Sequence, residues 1–356
     1  MPNTRPRTPF KDGICQACHN FDTRVDTDWE WRLAELKNIC SWHKKKGPWD
    51  CIIPVSGGKD SHALVYWIKE VMGMNPLLVT VGDIFTKTKA GISNYNNLGK
   101  TFGCNQILFT INPETFKKVT RICFENYLDP LRFIEQALMV FPVKVAIKFG
   151  VNLIIEGEAE FIYGGSTVDS KSARSITDQE FSSYDMSFWE SLGIPKTELN
   201  SITPPTKDEM RDLEIYWMSY FVPWSSLTNY SIAKRYGFID LAHEWKREGC
   251  IEDFEQIDSM AYLTHIWLKY PKFGFQRVSD IASRRLREGV LTIPEAKRLI
   301  LERDPILDQL ALSDFCNTLG YTHKEFWDIV DGFWNTDIFE QNGTKWEMKI
   351  DRFGGI

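Results

Sequence analysis

Six consecutive residues, Ser56, Gly57, Gly58, Lys59, Asp60 and Ser61, follow directly behind the short apolar run Cys51–Val55. The combination suits the binding of a polyphosphate. Two glycines let the backbone approach an anion closely, and a helix opening near Lys59 presents unpaired N–H groups and the positive end of its dipole. Ser56 and Ser61 add hydroxyl donors, Lys59 a cation, and Asp60 a carboxylate for Mg²⁺. The lysine is followed by Asp-Ser, and no glycine stands at the Walker A spacing ahead of it, so this is not a Walker A loop. Lys59 and Asp60 are therefore the first catalytic candidates.

A loop of this kind needs a sheet to aim it. Apolar runs alternate with helical stretches: strands are expected at 51–55, 76–81, 106–111 and 151–156, and helices at 61–73, 92–102, 113–126 and 131–149, the last with Pro142 inside it. Near-continuous apolar strands separated by helices imply a buried parallel sheet covered on both faces, an α/β fold. Pro54 cannot donate to a sheet ladder, so it is expected at the strand's end or at a bulge. Ligands bind such sheets beyond the carboxyl ends of the strands. Two more loops should reach that edge. Thr80, Val81, Gly82 and Asp83 are placed for the adenine and ribose, and Gly157 belongs to the loop after the fourth strand. In that loop Glu158 is a candidate to bind Mg²⁺ or orient an attacking amine, whereas Glu160 reads as a solvated charge. Tyr163-Gly-Gly165 reads as a flexible turn at the mouth of the site.

The N-terminal segment places Cys15 and Cys18 two residues apart, half a zinc site or a redox pair. Cys40 and His43, at the end of an amphipathic helix over 28–46 that carries Trp31, Leu33, Ala34, Leu36 and Ile39, would complete a Cys3His set if the chain folds back. Residues 169–205 are rich in Ser, Thr and Asp and read as a mobile insertion or lid. Beyond them the chain is helical and aromatic, with helices expected at 209–221, 230–236, 256–270, 277–288, 294–303, 307–319 and 324–335. Most of these aromatic residues are expected in the core. Arg277, Asp280, Arg284 and Arg287 share one face of a helix at spacings of three, four and three. With Lys272 just ahead, the three guanidiniums suit a diphosphate, which Arg binds bidentately. The division expected is 1–48 (CxxC segment and helix), 49–168 (ATP-binding domain), 169–205 (insertion) and 206–356 (helical substrate or partner domain).

The bulk numbers narrow the partners. With 356 residues, 13 Trp and a formal net charge of −6, the chain has no global field for a polyanion, which disfavours nucleic acid. No apolar run approaches the ~20 residues that span a bilayer and no signal core opens the sequence, so a cytoplasmic protein is expected. The eight cysteines read as reduced thiols more than as a disulfide framework.

Together these residues resemble a family. Gly-Ile-Cys15-Gln-Ala-Cys18, Asp50 to Ser61, Pro76-Leu-Leu-Val-Thr80, Gly157-Glu158 ahead of Tyr-Gly-Gly, and Lys272-Phe-Gly to Arg-Glu-Gly289 are similar to the N-acetyl sugar amidotransferases of bacterial surface-glycan (lipopolysaccharide O-antigen) pathways. The resemblance implies a PP-loop ATP pyrophosphatase fold of the adenine nucleotide alpha hydrolase type, in which the Ser56–Ser61 loop holds the β,γ-pyrophosphate and AMP is delivered to a substrate oxygen, with ATP and Mg²⁺ as cofactors; Zn²⁺ at Cys15 and Cys18 stays a candidate from their spacing. It also implies a nucleotide-linked acetamido sugar as substrate and an acetamidino sugar as product. Ammonia would come from a separate glutaminase pair resembling that of histidine biosynthesis; Met1-Pro2 does not fit an N-terminal-nucleophile glutaminase. Family members usually carry another CxxC upstream of Cys15, so a four-cysteine zinc site is not implied here. Two other readings stay open: a tRNA-modifying PP-loop enzyme of thiolation or lysidine type, and a non-catalytic nucleotide-binding subunit.

Overall fold

The computed structural model describes residues 2–6, 8–44, 47–158 and 186–353. Glu160 and the Tyr163–Gly165 turn lie outside them, as do residues 169–185 of the expected insertion.

The framework is a five-stranded, wholly parallel sheet built from β1 (Cys51–Pro54), β2 (Pro76–Gly82), β3 (Asn105–Thr110), β4 (Leu153–Glu156) and β5 (Glu214–Trp217). The spatial order is β3-β2-β1-β4-β5. The chain works outward from β1 in one direction and then returns to continue from β1 in the other. That reversal makes the crevice beyond β1 and β4 the natural ligand site. Pro54 is the last residue of β1, paired with Val79, so the missing N–H falls where the ladder ends.

Period-two alternation divides the two faces. Cys51, Ile53, Leu78, Leu153, Ile155 and Tyr216 join one core with Leu36, Leu64 and Leu98. These three come from α2 (Trp29–His43), α3 (Lys59–Val65) and α4 (Lys89–Phe102), which follow the N-terminal α1 (Gln16–Thr23). Ile52, Leu77, Val79, Ile154 and Ile215 point the other way, onto Val140, Val143 and Ala146 of α6 (Arg132–Phe149), which is preceded by α5 (Pro113–Tyr127). A third core carries α5 and α6 into the C-terminal region: Phe116, Phe124 and Phe133 cluster with Trp267, Phe315, Phe326 and Phe339. The aromatic load is thus mostly core, as expected, and it joins the sheet region to the helical one.

Several expectations are corrected. The stretch 209–221 is not a helix. It holds one helical turn (Lys207–Met210), strand β5 and another turn (Met218–Phe221), because Ile215 and Tyr216 each have a sheet face to pack against. The helix at 256–270 is confined to Tyr262–Trp267 and Lys269–Phe273. On α2 the buried positions are Leu36, Cys40 and His43, and Trp31 is 58% exposed. Of the expected mobile insertion, residues 186–205 are packed: Trp189 is buried and its indole N–H donates to Gln136 Oε1 at 2.9 Å. No helix among the described residues is long and apolar enough to cross a membrane.

Candidate active site

The Ser56–Ser61 loop leaves β1 and turns into α3 with a geometry that only glycine permits at its centre. Gly57 has φ +98°, and a Cβ there would meet the backbone N and Cα of Tyr95 at 3.0 and 3.1 Å. Both the conformation and the space exclude a side chain. The loop is closed by its own hydroxyls: the Ser56 N–H donates to Ser61 Oγ at 3.0 Å and the Gly58 N–H to Ser56 Oγ at 3.3 Å. Behind it His62 is fully buried, lies 3.0 Å from the Gly58 carbonyl through Nδ1, and is lowered by burial, which keeps it neutral. The strand side is fixed by the Thr80 hydroxyl, which donates to the Val55 carbonyl at 2.7 Å.

A cleft of about 330 Å³ opens beside this loop, lined by Val55, Ser56, Asp60, Ser61, Val81, Gly157 and Glu158, with Leu138, Met139 and Pro142 of α6 opposite. Pro142 has no N–H to give the Leu138 carbonyl, which therefore lacks its usual helical donor. The structure therefore brings together seven expected site residues from three separate loops: Ser56, Asp60 and Ser61, with Gly57 between them, Val81, and Gly157 with Glu158. Asp83 is engaged beside the cleft. Its Oδ1 accepts the Phe85 N–H at 2.9 Å and its Oδ2 pairs with Lys87 at 2.7 Å.

Lys59 does not line this cleft. It is 3% exposed, with its ammonium 2.8 Å from Asp60 Oδ2 and 2.9 Å from Glu255 Oε1. The loop cation read from the motif is therefore part of the buried interior. Asp60 also accepts from Asn229 Nδ2 at 2.8 Å, on α7 (Ser226–Arg235), which packs along α3. Glu255 is the centre of the network. Its carboxylate meets Arg277 Nη2 at 2.8 Å, Arg284 Nη2 at 3.5 Å and the Ser226 hydroxyl at 2.7 Å. Burial would raise this acid, but Lys59, Arg277 and Arg284 outweigh it and hold the group well below the ordinary carboxylate range.

The arginine face is real, on α8 (Arg277–Arg287), but its members differ. Arg277 and Arg284 are engaged by Glu255, and the expected face-mate Asp280 pairs with Arg5. Arg287 lines a small cavity with Arg24, Ser225, Ser226, Arg284 and Asp60. Lys272 stands apart: its Nζ donates at 2.8 Å to the carbonyl of Leu128, the left-handed residue that ends α5.

Two acids were not foreseen. Glu255 carries no motif; its only advance sign is an acidic cluster, Glu252, Asp253 and Glu255, lying ahead of an arginine-rich helix. Asp258 interacts with the Ser56 hydroxyl, and burial pushes it up to about 6, with Lys87 opposing and Asp83 reinforcing the shift. Cys15 and Cys18 do meet, with sulfurs 3.5 Å apart. The Cys18 contact lowers Cys15 to about 5 and raises Cys18, burial acting against the first and with the second. Cys40 instead lies in the core beside Cys51, and His43 Nε2 is 3.2 Å from Glu214, so the Cys3His set does not form. Among the described residues no three His, Cys, Asp or Glu side chains gather around a point. Two thiols alone do not fit the four-coordinate zinc site of structural centres. Mg²⁺ is different, since it is usually held by one or two carboxylates and the substrate's phosphates. Asp60 and Glu158 at the cleft supply that kind of oxygen donor.

Comparison with known proteins bears on the C-terminal region. Residues 230–351 match the family described as LPS biosynthesis protein WbpG-like, C-terminal domain. No curated protein matches the chain. Among solved structures, the chain is similar to NMN synthetase from Francisella tularensis, with 16% identity, 59% of this chain and 93% of that one covered, and a TM-score of 0.28. It is similar to the NH3-dependent NAD synthetase of Campylobacter jejuni, with 14% identity, 59% and 93% coverage and a TM-score of 0.32. For the U34-tRNA thiolase NcsA of Methanococcus maripaludis the values are 13%, 80% and 90%, and 0.31. Similarities this loose carry no argument about activity. Residues 230–351, which hold Glu255, Asp258 and the arginine helix, are thus similar to the C-terminal domain of WbpG-like LPS biosynthesis proteins.

Proposed function

We propose that the chain is an AMP-forming amidotransferase that converts an acetamido group of a nucleotide-linked sugar into an acetamidino group for surface-glycan biosynthesis. The observation that carries this reading is a six-residue PP-loop, set at the switch point of a parallel sheet, whose Lys59 is tied through Glu255 to the arginine helix of a WbpG-like domain.

An amide oxygen is a poor leaving group, and ammonia alone does not displace it. In the first step the acetamido oxygen attacks the α-phosphorus of ATP, an O–P bond forms, and the bond to pyrophosphate breaks. Ammonia then adds to the imidate carbon, loses a proton, and the C–O bond to AMP breaks, leaving the amidine. The Ser56–Ser61 loop and the start of α3 offer backbone and hydroxyl donors to the departing pyrophosphate. Mg²⁺, held by Asp60 with the phosphates, would neutralise charge there. Val81 and the backbone beside it provide the nucleoside wall, and Asp83 holds the following loop through Lys87 and Phe85. Glu158, which lines the same cleft, would orient the amine and take its proton. Arg287, with Arg24, is assigned to the sugar nucleotide's diphosphate, while Arg277 and Arg284 shape the site from behind.

The test is pyrophosphate release from ATP with ammonia and a panel of UDP- and CMP-linked acetamido sugars. Release that depends on one of these sugars supports the reading; no release with any of them, from protein that binds ATP, contradicts it.

A further inference from the structure

Three cations and two carboxylates meet between α3, α7 and α8, and they are not equivalent. Lys59 is shared almost evenly between Asp60, whose side chain is 32% exposed at the cleft, and Glu255, whose side chain is 5% exposed. Glu255 cannot reach a ligand in the cleft. It can only act on the groups that hold it: Lys59, Arg277, Arg284 and Ser226. If its charge were absent, Asp60 would be the one direct ion-pair partner left to the Lys59 ammonium among the described residues, and any divalent cation at Asp60 would compete with that ammonium.

We propose that Glu255 is a positioning residue for the divalent-cation site: by drawing the charge of Lys59 inward it leaves Asp60 able to take Mg²⁺, and its ties to Arg277 and Arg284 fix α8 in register with the loop. The inference rests on the reading of the loop as an ATP site. Its ties span residues 59, 226, 255, 277 and 284, so one carboxylate links the PP-loop to the WbpG-like domain.

The experiment uses Mn²⁺ as a spin-visible stand-in for Mg²⁺, titrated onto the full chain with a non-hydrolysable ATP analogue and followed by electron paramagnetic resonance, so no turnover is needed. Glu255→Gln is expected to weaken Mn²⁺ by about tenfold, as outer-shell substitutions commonly do. The charge-balanced double variant Lys59→Met/Glu255→Gln, which removes the competing ammonium too, is expected to recover most of that loss. A purely structural role would lower the melting temperature without moving the Mn²⁺ affinity, and the double variant would not recover. Wild-type affinity in folded Glu255→Gln, or a double variant as weak as the single one, overturns the proposal. Should Glu255→Gln fail to fold, Ser226→Ala loosens the same carboxylate while keeping its charge. A measurably weaker Mn²⁺ affinity is then expected, and an unchanged one overturns the proposal. Wild-type protein that binds no Mn²⁺ with the analogue would instead overturn the ATP-site reading itself.

Discussion

Gly57 and Asp258 show how narrowly the loop is specified at the scale of single residues. A side chain at position 57 must adopt φ near +98° and push into the Tyr95 backbone 3.0 Å away. Gly57→Ala is therefore expected to cost about 1–3 kcal/mol of stability and to weaken ATP binding at least tenfold, read by thermal melting and equilibrium titration. Asp258 supplies a pH dependence. Its proton is held up to about 6, so below that pH the group beside Ser56 is neutral and above it the group is an anion facing a polyphosphate site. ATP affinity should thus rise as pH falls through about 6, and Asp258→Asn should lose that part of the dependence. ATP's own titration, common to both proteins, cancels in the comparison. A profile unchanged by the substitution would remove Asp258 from the site.

The scale of the element is where the arginine helix separates into two kinds of residue. Arg284 is 8% exposed and faces the buried Glu255. Arg284→Ala leaves that carboxylate with Lys59, Arg277 and Ser226 but one charged partner fewer, and is expected to cost about 1–3 kcal/mol, the worth of a hydrogen bond to a charged group. Arg287 lines a cavity with Arg24; Arg287→Ala should leave the melting temperature nearly unchanged and raise KM for the sugar nucleotide about tenfold, the worth of one good charge-assisted contact. The opposite pattern, an unstable Arg287→Ala and a kinetically impaired but stable Arg284→Ala, would reverse these assignments. Helical spacing revealed that the arginines share a face, because three- and four-residue steps are a local property. It could not reveal which of them a distant carboxylate engages. The same limit explains β5: Glu214–Trp217 is four residues long, is followed at once by a helical turn, and shows its strand character only beside β4.

At the scale of the whole molecule, the first four strands, the loop and the crossing helices were legible because apolar periodicity and an unbroken motif are written in adjacent residues. The union of the two regions was not. Glu255 meets Lys59 from nearly two hundred positions away, and Phe116 and Phe124 of the sheet region share a core with Phe315 and Phe326 of the WbpG-like one. Deleting residues 230–351 would expose that core, strip Lys59 of Glu255, and leave Asn229, which holds Asp60, on a truncated α7. The truncated chain is expected to lose cooperative thermal unfolding, followed by circular dichroism; a sharp transition near the full-length midpoint would mean the sheet region folds by itself.

The central claim is that the acetamido oxygen attacks the α-phosphorus of ATP at the Ser56–Ser61 loop, and an oxygen label tests it most directly. With the reactive sugar nucleotide carrying ¹⁸O in its acetamido group, turnover with ATP and ammonia should place that ¹⁸O in the phosphoryl group of AMP, with unlabelled pyrophosphate released alongside. Label recovered in orthophosphate with ADP as the nucleotide product would show transfer of the γ-phosphoryl group instead and would contradict the account.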